Sequence, residues 1–91
     1  MKGFYYHYKH TDEDMANYAY EVLGISLDTE EGTESVIYRP LYEDSYLDSR
    51  DFYARPKEMF FEKVEDTQRF TQITDPAVLE ELIKIRDAKY S

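Results

Sequence analysis

The sequence has no cysteine, no tryptophan and only three glycines among its 91 residues. Without cysteine there is no disulfide, no thiolate nucleophile and no zinc-thiolate centre. Three glycines leave no glycine-rich phosphate loop, and no catalytic triad order or zinc spacing stands out. Long hydrophobic runs are also missing: no window approaches the roughly 20 apolar residues of a membrane span. The N-terminal stretch MKGFYYHYKH lacks the apolar segment of a secretory leader. These absences lead us to expect a cytoplasmic protein with no membrane span, no bound metal and no cofactor.

Positive charge is scarce. Eleven Lys and Arg face twenty Asp and Glu, for a formal charge of -9. Such a field repels phosphate backbones and anionic membranes, so nucleic acid is a disfavoured partner. The densest basic group, Lys2, His7, Lys9 and His10, is thin. Acidic pairs suited to acid–base catalysis occur in the loops. With so many acids, a solvated surface explains them better.

Aromatic residues are abundant: ten Tyr and five Phe, within an apolar share of 42%. That share predicts a packed globule, and the length predicts one domain with a modest core. Tyr joins a large apolar body to a hydroxyl that needs a partner. Ten of them suit a small barrel with half-wet rim residues, where a helical bundle would use Leu and Ala. Strands are predicted over 3–9, 18–28, 35–42, 52–55 and 61–64, with a short one over 69–73. Gly24 inside the second strand predicts a bulge or a close backbone approach, and Gly32 a turn with positive φ. Pro40 marks an edge, a bulge or an outward N–H position. The stretches 10–17 and 43–51 are acidic loops. In FYARPKEMFFE (52–62), Pro56 ends one strand and starts a helical turn, after which Met59 and Phe60 return to the core.

The chain from 75 to 90 changes character. Asp75 is a candidate N-cap and Pro76 stands at the first helical position. Val78, Leu79, Leu82, Ile83 and Ile85 form an apolar stripe. Residues 1–74 therefore form a mainly β unit, and 75–91 a C-terminal helix packed on or beside it. The stripe either caps the β unit or docks another chain, a second copy giving a homodimer.

The blocks Gly3, Tyr5, His7, Tyr8, Lys9; Tyr20, Val22, Leu23, Gly24; Val36, Ile37, Tyr38, Leu41, Tyr42; Arg55, Pro56, Met59, Phe60; and Arg69, Phe70 occur in that order. In this the chain resembles a bacterial family of short proteins catalogued only as a domain of unknown function. The resemblance covers about residues 3–73 and implies a small SH3-like β-barrel, with one helical turn before the last main strand. It implies no activity. Tyr53 stands where the family prefers Trp, and Asp28 where many members carry His.

The candidate ligand-binding residues are Tyr38, Tyr42, Tyr53, Arg55 and His7. The three tyrosines suit a groove for an extended peptide, or alternatively pack core and rim. Arg55 offers a planar fork for a carboxylate or phosphate, or ties down a loop and pairs with Glu30, Glu58 or Asp44. Arg39 has the same two readings. His7 suits proton transfer or ligand donation, or is hydrogen-bonded within the sheet. His7 and His10, three apart, do not face one another on a strand, so no metal site is expected. Two functions remain. The first is a non-catalytic module that recognises a protein segment or small ligand on the aromatic face. The second is a small enzyme using His7 as base and Arg55 as anion anchor. The module is preferred because enzymes usually need a deeper cleft than one small barrel offers.

Overall fold

The computed structural model of the chain describes residues 2–43 and 50–91. Asp44 and most of the second acidic loop lie outside the described residues. The order is β1 (Gly3–His7), β2 (Ala19–Leu27), β3 (Glu34–Pro40), β4 (Tyr53–Pro56), α1 (Lys57–Phe60), β5 (Lys63–Val64), β6 (Thr67–Gln68), β7 (Phe70–Gln72) and α2 (Pro76–Lys89). Five strands form one antiparallel sheet, β4-β3-β2-β1-β7, and β5-β6 is a separate hairpin.

Period-two alternation gives this sheet two apolar faces. Tyr5, Tyr20, Val22, Val36 and Tyr38 point inward and meet Phe60 and Phe70. Phe4, Ala19 and Leu41 point the other way and meet Ile73 and Leu82. The stripe of α2 lies on that outer face, with Leu82 wholly buried and Val78, Leu79 and Ile85 beside it. Asp75 caps α2 by accepting from the Ala77 amide at 2.9 Å. Of the stripe's five residues, Val78, Leu79, Leu82 and Ile85 are thus packed on the chain's own sheet, and Ile83 is exposed.

The helix is also clamped by charge. Glu21, buried in the sheet, accepts from Arg39 at 2.9 Å and Arg86 at 2.5 Å. The Arg39 guanidinium lies 4.0 Å over the Tyr90 ring, and the Tyr90 hydroxyl donates to the Pro40 carbonyl at 2.5 Å. Arg39 therefore takes the second of its two readings: it pairs with an acid of its own chain.

Turn chemistry matches expectation in most places. The β2–β3 register shifts between Val22 and Gly24, which is the bulge. Gly32 takes φ 72° in the turn between these strands. Pro40 lies beyond the last β3–β4 pair, Tyr38 with Tyr53, where no β4 residue needs its missing N–H. Two expectations change. A closed barrel is not formed by strand pairing: β4 and β7 are the two edges of an open sheet. Met59 is 44% exposed, because only Phe60 of the single turn α1 reaches the core. The sheet curls enough that Phe60, following β4, stacks on Phe70 of β7 with centroids 4.1 Å apart. That pair fills the space between the edges, where pairing would close a barrel.

Candidate functional site

The inner face of the sheet ends in a ring of aromatic side chains. His7 stacks near Tyr18 at 5.5 Å, Tyr18 meets Tyr42 at 5.7 Å, and Tyr42 meets Tyr20 at 5.6 Å. Tyr20 then meets Tyr38 at 5.4 Å, and Tyr38 meets Tyr53 at 5.5 Å. Phe70 lies at the centre, edge-on to His7, Tyr20 and Tyr38. The tilted and edge-to-face angles are those aromatic quadrupoles favour. The hydroxyls of Tyr20 and Tyr42 are hydrogen-bonded to each other. Alternation on either side of Pro40 keeps Tyr38 and Tyr42 against the same cluster.

One side of this ring opens into a hollow of about 500 Å³, lined by Tyr20, Tyr38, Tyr53, Ala54, Arg55, Pro56 and Met59. The sheet brings three of the expected residues, Tyr38, Tyr53 and Arg55, into its wall. Tyr42 stands behind Tyr20, and His7 stands across Phe70, so neither lines it. The Arg55 Nε donates to the Tyr38 hydroxyl at 3.2 Å, and its guanidinium lies 5.8 Å from the Phe70 ring centre. Neither Glu30 nor Glu58 pairs with Arg55. Among the described residues no carboxylate forms an ion pair with it.

His7 is held at both its backbone and its ring. Its amide donates to the Tyr18 carbonyl at 2.9 Å. Its Nδ1 accepts from the Lys9 amide at 3.2 Å, which leaves the proton of the neutral ring on Nε2. Burial pushes the imidazole down to about 4, and the charges of Arg69, Lys9 and Arg55 push the same way. Tyr5, two residues before His7 on the same inner face, is buried against Phe60, and Lys9 falls past the end of β1. His10 is elsewhere, stacked on Tyr6 at 3.6 Å and donating to the Asn17 carbonyl at 2.7 Å. No group of three or more potential metal ligands exists among the described residues.

Sequence reasoning missed Tyr18, Tyr20, Phe70 and Arg69 as parts of this region. Tyr18 carries a signal only the backbone shows: φ is 51°, which is strained for a bulky side chain. Arg69 pairs with Glu62 at 2.6 Å, while its Nε is buried without a hydrogen-bond partner. Asp28 lies far along the β2–β3 hairpin, in its turn. Its Oδ1 accepts from the Glu30 and Glu31 amides at 2.9 and 3.1 Å, and these bonds hold the carboxyl below its usual range. That is a turn-capping role.

A family model described as "Protein of unknown function (DUF1653)" matches residues 3–72. No curated protein and no solved structure is similar to the chain. The matched segment runs from the start of β1 to the end of β7, and α2 follows it. No helix among the described residues is long and apolar enough to cross a membrane.

Proposed function

The chain belongs to the DUF1653 family of proteins of unknown function, and from that premise we propose that it is a non-catalytic binding module whose ligand site is the aromatic hollow beside β4. The observation that carries this reading is the hollow itself. Its volume of about 500 Å³ is in the range of small-molecule sites, and Tyr20, Tyr38 and Tyr53 give it flat walls. The hollow also runs along β4, which among the described residues ends the sheet opposite β7. An extended protein segment laid along it would find aromatic walls. The curl that stacks Phe60 on Phe70 supports an SH3-like reading of the fold, a family of shapes that places ligands on such a face. A fragment screen followed by amide and tyrosine ring chemical shifts tests the proposal. Shifts clustering on Tyr20, Tyr38, Tyr53 and Met59 are expected. Shifts confined to α2 would sink it and move the partner surface to the helix.

A small enzyme using His7 and Arg55 is the alternative. It is favoured by one observation, that both residues face the Phe70 ring from its surroundings. Against it stands the chemistry of the imidazole, which at a pKa of about 4 is a weak base at neutral pH.

A further inference from the structure

Arg55 differs from Arg39, Arg69 and Arg86 in this acidic chain. Arg39 and Arg86 share Glu21, and Arg69 holds Glu62. Arg55 instead spends its Nε on the Tyr38 hydroxyl, with no carboxylate against it among the described residues. That bond fixes the plane of the guanidinium and leaves its two terminal nitrogens as a preset fork. The side chain is half-buried beside Phe70, where an ion pair is screened less than at the open surface. The nearby charges reinforce it. Lys9 and Arg69 act with Arg55 on His7, so a local positive field exists inside a protein of net charge -9.

The rest of the hollow is flat and apolar. Tyr20, Tyr38 and Tyr53 present rings, and Met59 presents an exposed, flexible thioether that adapts to what it touches. Beyond Pro56 and Met59 a second hollow continues toward Gly32 and Glu34. Its charges are acidic or already paired: Glu58, and Glu34 with Lys57 at 3.7 Å. An anionic group is thus favoured at the Arg55 end and disfavoured at the other, which gives a ligand one orientation.

We propose that the hollow takes a ligand with an oxyanion, a carboxylate or a phosphate, on the Arg55 guanidinium and a flat apolar body between Tyr20, Tyr53 and Met59. This rests on the binding-module reading and names its ligand chemistry. The test titrates 4-methylbenzoate, phenyl phosphate and benzyl alcohol into the full chain, with amide shifts as the readout. Both anions should bind about tenfold or more tightly than the neutral alcohol, as expected for hydrogen bonds to a charged group. Arg55→Gln should bring the anions down to the alcohol's affinity. Arg55→Lys, which keeps the charge without the fork, should fall between, and a thermal melt of each variant checks that it folds. The ratio of the two anions identifies the headgroup. Equal affinity for the alcohol, or anion binding indifferent to Arg55→Gln in a folded variant, overturns the oxyanion assignment while the aromatic site stands. No shift at Tyr53 or Met59 with any probe overturns both.

Discussion

Phe60 has no exposed surface, and its ring touches Tyr5, Tyr38, Phe61 and Phe70. Removing it empties the space between the two sheet edges. Phe60→Ala should therefore cost about 3–5 kcal/mol in urea unfolding; a loss below about 1 kcal/mol would mean that the core closes without it. His7 makes a second prediction at this scale. Its folded pKa of about 4 lies below the ordinary 6.5, so the unfolded chain takes up a proton first as pH falls. The stability that comes from keeping this ring neutral is complete above 6.5 and is lost between 6.5 and about 4. Imidazole NMR should give a midpoint near 4, and His7→Gln should lose less stability than the parent across that window. A midpoint near 6.5 would mean that the ring is hydrated in the folded chain.

At the level of elements, the β5–β6 hairpin turns on Glu65 and Asp66, with φ of 51° and 71°. Two successive positive φ values make a primed turn, for which Asn-Gly is the favoured pair. Nothing in Glu-Asp announces it, which is why the sequence reading carried one strand over 61–64 and missed the return. Replacing the pair by Asn-Gly should raise stability by about 1 kcal/mol in a thermal melt, since the substituted residues accept this backbone without strain. The β2–β3 turn shows the opposite case, with Gly32 and the capping Asp28 both written in the sequence. The clamp between sheet and α2 gives the fourth prediction. Glu21→Ala leaves Arg39 and Arg86 facing each other in a partly buried site, and should cost about 3 kcal/mol. Glu21→Gln should cost less, because the hydrogen bonds partly survive. Equal stability of the parent and Glu21→Ala would show that α2 is held by Leu82 and its neighbours alone.

Across the whole molecule, an open five-stranded sheet carries a core on each face: a largely aromatic one under α1 and β7, and a mixed one, with Phe4 among aliphatic side chains, under α2. The family match stops at residue 72, yet Phe4 at its start is buried with Leu82 beyond its end. Net charge acts at the same scale. At -9 the field opposes any phosphate backbone, and the cations around Phe70 are too few to reverse it. A DNA or RNA titration at physiological salt should show no binding, and a steeply salt-dependent micromolar affinity would contradict this.

Much of this was legible because it depends on near neighbours in the chain. Alternation, the Gly24 bulge, the Pro56 stop and the Asp75-Pro76 helix start are all local, so the residues alone placed β1 to β4, α1 and α2. Tyr38, Tyr53 and Arg55 are candidates together with Tyr42 and His7 through the barrel that the resemblance implies, and the pairing of Tyr38 with Tyr53 is what brings the first three to one wall. Tertiary structure decided the rest. Whether the sheet closes depends on how far it curls around Phe60 and Phe70, which no local pattern encodes. Glu21 looked like any strand acid until packing brought Arg86, 65 residues away, onto it. Tyr18 and Phe70 joined the aromatic ring through contacts between strands distant in sequence. Arg55 drew notice in the sequence for its fork, but only the fold put Tyr38 on its Nε and kept every described carboxylate away. A charge's partners are set by distance in space, and the chain order does not contain that distance.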